Sequence, residues 1–284
     1  MFRFVVLLLI CFLFPDGLIY KQIRIYNPDS ETISAIQEIG IPLDHIYKVD
    51  GQFIEFAISE HSANLLLINN VDFEIIHDDL QAFYESRLFD ISSRDFDYGS
   101  MGGYYTYNEI IEHIDELSNE YPDIVSEIQV IGESLEGRQI LAIKLSDNPN
   151  INENEPEVLY TGLHHAREPM SYMNLFYYMY WLVENYNTDD LATSIINNRE
   201  LWFIPCINPD GLVYNQQIAP NGGGMQRKNH RETCTNNDDF SNWDGIDLNR
   251  NYSFQWGYDN SGSSGDGCYQ TYRGTNSFSE PETQ

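Results

Sequence analysis

Positive charge is what this chain has least of. Against 44 Asp and Glu stand 15 Lys and Arg, a formal net charge of −29 over 284 residues. Binding a phosphate backbone needs clustered basic side chains, so the deficit excludes nucleic acid as a partner. Solubility in a salty medium and an acidic face for a partner both remain as readings of the acid excess. Long apolar runs are equally scarce. Phe4 to Phe14 is unbroken, but eleven residues are too few to span a bilayer. Behind the short basic start Met1-Phe2-Arg3, that run reads as the h-region of a secretory signal cleaved near Gly17. Cysteines number four. Cys11 would leave with the signal, and it lacks the small preceding residue of a lipoprotein cysteine. Export implies an oxidising compartment, secreted, extracellular or periplasmic, so Cys206, Cys234 and Cys268 are read with disulfides in mind. No membrane partner is expected after signal cleavage, and the chain is expected to be a monomer. There is no internal repeat.

What is present is globular composition, with 42% hydrophobic and 14% aromatic residues. Residues 20–78 alternate strand and helix signals. Lys21 to Tyr26 reads as a strand, and Ser30 to Ile39 as a helix stopped by Gly40. Ile46 to Val49 and Gln52 to Ile58 flank an Asp50-Gly51 hairpin turn. Ser59 caps a helix to Ile68, and Val71 to Ile76 is a last strand. The order β-α-β-β-α-β is the split ferredoxin-like plan, a small α+β domain. Residues 79–103 form a polar linker that holds Arg87 and Arg94, the kind of segment proteases nick.

A second domain begins near Tyr104 and runs to Gln284. Thr106 and Glu109 make a capping box ahead of a stripe of Ile110, Ile114 and Leu117. Glu127 to Ile131 and Gln139 to Leu145 read as paired strands around Glu136-Gly137-Arg138. Glu157 to Thr161 and Leu201 to Ile207 are near-continuous apolar runs, as strands buried on both faces are. Met170 to Val183 is apolar nearly all round, a helix buried against the sheet. The class is therefore α/β, with a mixed, mostly parallel sheet and flanking helices.

The chemistry concentrates in Thr161-Gly162-Leu163-His164-His165-Ala166-Arg167-Glu168-Pro169. It lies between a strand and a helix, where open α/β sheets place ligands. Imidazole nitrogen and carboxylate oxygen three residues apart suit one zinc ion, whose catalytic sites use three protein ligands and one open position. A solvated loop with a chance His-x-x-Glu fits the same residues.

His165-Ala166-Arg167-Glu168 resembles the zinc motif of the metallocarboxypeptidases, in the branch of the pancreatic A and B enzymes. Asn208-Pro209-Asp210-Gly211, Arg227-Lys228-Asn229 and Gly245-Ile246-Asp247-Leu248-Asn249-Arg250-Asn251 follow in that family's order. Tyr272-Arg273-Gly274 and Ser279-Glu280-Pro281-Glu282-Thr283 continue it. The resemblance implies one Zn2+ per complete catalytic domain, with His165 and Glu168 as two of its ligands and Asp247 behind His165. It implies Asn249 and Arg250 on the substrate's terminal carboxylate, Arg227 on the scissile carbonyl and Arg167 further out. Gln226 stands where the family commonly has an aromatic. Cys234 and Cys268 bracket the Asn249-Arg250 motif as a family disulfide does, with closure stabilising by about 3 to 4 kcal/mol. Cys206 is an inert core thiol. The leading domain is similar to the family's inhibitory pro-domain, so a proenzyme is expected. The reaction implied is hydrolysis of the C-terminal peptide bond of peptides with a free C-terminus. A silent peptide-terminus-binding relative and a zinc amidohydrolase of N-acyl amino acids are the alternatives.

The family's third zinc ligand is a His some tens of residues past Ser279-Glu280-Pro281-Glu282, and its general-base Glu and a closing Tyr come later. None stands in this sequence, whose last His is His230. The chain therefore reads as the front part of a longer protein and, as it stands, not competent. His164 is expected to point away from the site. His45, His61, His77, His113 and His230 have no second metal-type partner at suitable spacing.

Overall fold

The computed structural model describes residues 19–43, 46–86, 97–234, 240–241 and 243–284. The expected signal, His45, Arg87 and Arg94 lie outside the described residues.

The leading part runs β1 (Tyr20–Tyr26), α1 (Ser30–Glu38), β2 (Tyr47–Val49), β3 (Phe53–Ser59), α2 (Glu60–Ile68) and β4 (Glu74–His77). Its boundaries follow local chemistry. Asp29 caps α1 through the Thr32 amide at 2.8 Å, and Ser59 caps α2 through the Ser62 amide at 3.1 Å. Gly40, at φ +80°, takes the left-handed turn that ends α1. The strands form an antiparallel sheet in the order β2-β3-β1-β4. Ile23, Ile25, Ile54, Phe56 and Ile58 bury one face of it against Ile36 and Leu66 of the helices.

A short helix α3 (Leu80–Glu85) precedes the second part, which opens on α4 (Tyr107–Glu120). Thr106 and Glu109 form the reciprocal cap, and Ile110, Ile114 and Leu117 are buried. Then come β5 (Gln129–Glu133), β6 (Gln139–Leu145), β7 (Glu157–Thr161), α5 (Met170–Asn185), α6 (Asp190–Ile196), β8 (Glu200–Ile204) and α7 (Pro209–Ile218). Beyond α7 the described chain is loop with two short 3-10 turns, Leu248–Arg250 and Pro281–Thr283. The sheet order is β5-β6-β8-β7.

Two expectations are corrected here. Among the described strands the sheet is mixed but not mostly parallel, because β7–β8 is parallel while β5–β6 and β6–β8 are antiparallel. The β5–β6 turn through Gly137 is a hairpin, too short for the crossover a parallel pair needs. Nor is β7 buried on both faces. Among the described strands it lies at the sheet's edge, and Leu159 is 62% exposed while Val158 and Tyr160 pack on the core. Its unbroken apolar run hid an alternating strand. β8, one place further in, is buried along Leu201 and Phe203. α5 packs Tyr172, Phe176, Met179 and Leu182 inward but leaves Met170 and Tyr177 in solvent. Among the described residues no helix is long and apolar enough to cross a membrane.

The leading sheet and helices sit on the loops of the second part. Tyr269 OH donates to Glu38 O at 3.1 Å, and the His61 and Trp243 rings meet edge to face at 5.2 Å. A Cβ on Gly40 would stand 2.0 Å from the Tyr269 ring, so this approach requires glycine.

Candidate active site

β7 delivers the chain to the loop of residues 162–169. Gly162 lets that loop pass the Pro205 carbonyl, which a Cβ would meet at 2.6 Å. The loop is pinned by Ser171, whose hydroxyl accepts from Leu163 N at 2.9 Å and donates to Glu168 O at 2.7 Å. Asn208 holds it from the far side, donating to His164 O at 3.2 Å while its Oδ1 caps α7 through Gly211 N at 3.0 Å. Ala166 N donates to Arg227 O at 3.0 Å, which ties the loop to the segment of residues 225–230.

His165 sits at the centre, buried. Its Nδ1 faces Glu168 Oε1 at 2.9 Å, and its Nε2 faces Asp247 Oδ1 at 3.1 Å. The second oxygen of Asp247 accepts from Arg227 Nη2 at 2.8 Å and Nε at 3.2 Å. Oδ1 also caps the Leu248–Arg250 turn through Asn249 N at 3.0 Å. One buried carboxylate thus binds the imidazole, the guanidinium and the turn that carries Asn249 and Arg250. Burial alone would raise the Asp247 carboxyl, but the Arg227 charge and the His165 bond outweigh it and hold the group well below the ordinary carboxylate range. Burial works against the His165 imidazolium, yet its bonds to Asp247 and Glu168 leave it raised above an ordinary histidine. His164 turns the other way, to Tyr252 OH at 2.9 Å, and burial lowers it.

The donors present fit part of a zinc site. His165 Nδ1 and Glu168 Oε1 converge on one point, the far nitrogen of His165 is held by a carboxylate, and nitrogen with oxygen is a set zinc accepts. Among the described residues no third His, Cys, Asp or Glu joins that pair, since the one such cluster of three lies elsewhere, at Asp147, Glu153 and Glu155.

The arginines divide. Arg227 is fully buried, with Nη1 3.8 Å from Glu168 Oε1. Arg250 is half-buried, donates through Nε to Gly262 O at 2.7 Å, and borders a cavity of about 490 Å³ closed on its other side by residues 37–43 of the leading part. Asn249 is exposed. Arg167 lies beside the buried Tyr20 of β1 and, with Glu168, Tyr84 and Tyr104, lines a second cavity of about 530 Å³. Cys234 and Cys268 are bonded, and Cys206 is a buried free thiol that burial pushes up.

Sequence reasoning missed two supports. Gln226, the residue that departs from the family pattern, donates through Nε2 to the carbonyls of Lys228, Asn229 and Asp244 at 3.1 to 3.2 Å. Lys228 is fully buried, and its ammonium meets the carbonyls of Trp243, Gly267 and Tyr269 at 2.7 to 3.1 Å. Both gather backbone from distant loops, a role that no local spacing announces.

An α/β fold with paired His and Glu at a strand's end, backed by a buried Asp–Arg couple, is the class of a metallohydrolase. Residues 110–284 match the family model described as zinc carboxypeptidase, so the chain belongs to that family. It is 29% identical over 264 residues to metallocarboxypeptidase A of Trichophyton tonsurans, covering 90% of this chain and 59% of that one. A zinc carboxypeptidase of Saccharothrix mutabilis subsp. capreolus is 34% identical over 167 residues, 59% of this chain and 36% of its own. Carboxypeptidase A5 of Homo sapiens is 31% identical over 213 residues, 73% of this chain and 44% of its own. The chain thus spans between 36% and 59% of the length of these relatives. In fold it is similar to the carboxypeptidase A from Helicoverpa armigera, with a TM-score of 0.73 at 24% identity over 94% of this chain and 65% of that one.

Proposed function

We propose that the protein to which this chain belongs is a secreted zinc carboxypeptidase, made as a proenzyme, that removes the C-terminal residue of peptides. The observation that carries the reading is Asp247, whose two oxygens tie His165 to Arg227 and whose turn presents Asn249 and Arg250. When bound, zinc would activate a water and polarise the scissile carbonyl. His165 and Glu168 would hold it with a third donor from outside the described residues. Asp247, facing Nε2, would favour the tautomer whose Nδ1, now opposite Glu168, can ligate. Arg227 would accept the charge that develops on the carbonyl oxygen, and burial magnifies that interaction. Arg250 and Asn249 would fix the free α-carboxylate, where a planar fork matches two oxygens.

Residues 20–78 would be the inhibitory segment, a split ferredoxin-like unit joined through a linker at 79–103. Supporting this, Tyr20 meets Arg167, Glu38 and Gly40 meet Tyr269, and residues 37–43 close the cavity beside Arg250.

The test compares free and C-terminally amidated peptides on the processed, zinc-loaded protein. Free peptides should be trimmed one residue at a time and amidated ones resisted. Equal cleavage of both would replace this reading with an endopeptidase or an amidohydrolase, and tight binding of free termini without turnover would indicate a silent binding protein.

A further inference from the structure

Lys228 is fully buried, and its ammonium donates to backbone carbonyls rather than to a carboxylate: Trp243 O at 2.7 Å, Tyr269 O at 2.8 Å and Gly267 O at 3.1 Å. An ammonium has three donors and no acceptor, so this cage satisfies it in full. A cation buried without a counter-ion is costly, and what it holds here are two of the residues that touch the leading part. Trp243 meets the ring of His61, in the first turn of α2, edge to face at 5.2 Å. Tyr269 donates its hydroxyl to Glu38 O, at the end of α1, and its ring covers Gly40.

A carbonyl bound by an ammonium fixes its peptide plane, and the plane sets the direction in which the side chain of its residue leaves the backbone. One buried cation thus aims the indole of Trp243 and the phenol of Tyr269 together, although the two lie on different loops. We propose that Lys228 is the positioning residue of the surface on which the leading part docks, holding Trp243 and Tyr269 preset for the ends of α1 and α2. Arg227, one residue earlier, turns instead to Asp247, so neighbouring positions serve the candidate site and the docking surface.

Two other staples join the same loops but not these carbonyls. Thr233 Oγ1 accepts from Gly245 N at 3.0 Å and donates to Gly267 O at 2.8 Å, and Cys234 is bonded to Cys268. Of the three staples, Lys228 alone reaches the carbonyls of Trp243 and Tyr269. Gly245, at φ +103°, lets its loop lie against the lysine stem, where a Cβ would stand 2.7 Å from Lys228 Cβ. A third contact of the leading part, the hydrogen bond of Tyr20 with Arg167, lies outside the cage and serves as a control. Burial pushes the Lys228 ammonium from 10.5 down to about 7, opposed by Asp247, Asp244 and Asp266 and aided by Arg227, so at pH 6 it keeps its proton.

Nuclear magnetic resonance on the full chain at pH 6 tests this by reading docking alone. No peptide is hydrolysed, so the outcome stands apart from the zinc carboxypeptidase reading. In the parent the Lys228 ammonium protons should exchange with water about tenfold or more slowly than those of the exposed Lys48, and a cross-relaxation peak should join the His61 and Trp243 rings. Lys228→Met, which keeps the stem and deletes the donors, should lose that peak while the Tyr20–Arg167 contact persists. Loss of both contacts together would make Lys228 a support of the fold at large, and survival of both would mean that it positions nothing; either result overturns the proposal. His61→Ala, at an exposed position, decides the matter even if Lys228→Met does not fold. The Lys228 protons should stay slow in it, because the cage is preset. Acceleration to the Lys48 rate would show that the leading part builds the cage, and the proposal would fall.

Discussion

At the scale of single residues, Asp247 joins the parts of the candidate site. It is a fully buried anion whose partners are an imidazole, a guanidinium and a backbone amide. Asp247→Asn keeps the shape but takes from the buried Arg227 its closest carboxylate, leaving Glu168 at 3.8 Å, a loss of about 3 to 5 kcal/mol. Urea denaturation of the variant should show a midpoint lowered accordingly, and a shift within error would mean that the pair contributes nothing net. Glu282 offers a pH signature. Burial pushes its carboxyl from 4.5 up to about 7, with Glu280 and Asp210 adding to the rise, and its Oε1 accepts the Leu135 amide at 3.3 Å. Between those two values the folded chain keeps a proton that the unfolded chain has lost. Stability from this group is therefore fully present below pH 4.5 and declines as the pH rises to about 7, by up to about 3 kcal/mol. Glu282→Gln should flatten that slope in urea midpoints measured from pH 4.5 to 7. An unchanged slope would show that Glu282 titrates normally.

Elements were legible in the sequence where local chemistry decides them. Thr106 with Glu109 and Ser59 before α2 are caps whose partners lie within three residues, and each stands in the fold. The strand faces were harder, because exposure depends on what lies across the sheet. Val158-Leu159-Tyr160 is apolar throughout, yet Leu159 points to solvent from an edge. The pair His165 and Glu168 could be found because the motif is contiguous. Its approach to Asp247, 82 residues on, came from resemblance, as spacing alone carries no such distance. The roles of Gln226 and Lys228, and the meeting of Lys144 with Glu200, arise only when segments far apart in sequence fold together. If residues 20–78 are inhibitory, limited trypsin should cut first at Arg87 or Arg94, within the linker, and activity of the parent protein should rise in step. Full activity before cleavage would leave the leading part a folding aid.

The molecule as a whole carries a charge that its fold must tolerate. Removing the expected signal changes nothing, since Arg3 and Asp16 cancel and the balance stays at −29. Self-repulsion on that scale favours expansion, and the described ion pairs relieve it only locally, as where Arg24 meets Glu55 at 2.6 Å and Arg231 meets Glu280 at 2.7 Å. Salt shortens the reach of the repulsion from about 10 Å at 0.1 M to about 3 Å at 1 M. Added NaCl should therefore raise the urea midpoint, whereas a fold held by exposed ion pairs would lose stability. A midpoint that falls with salt would mean that attractive pairs outweigh the acid excess, and the charge would then have to be read as a surface for a partner.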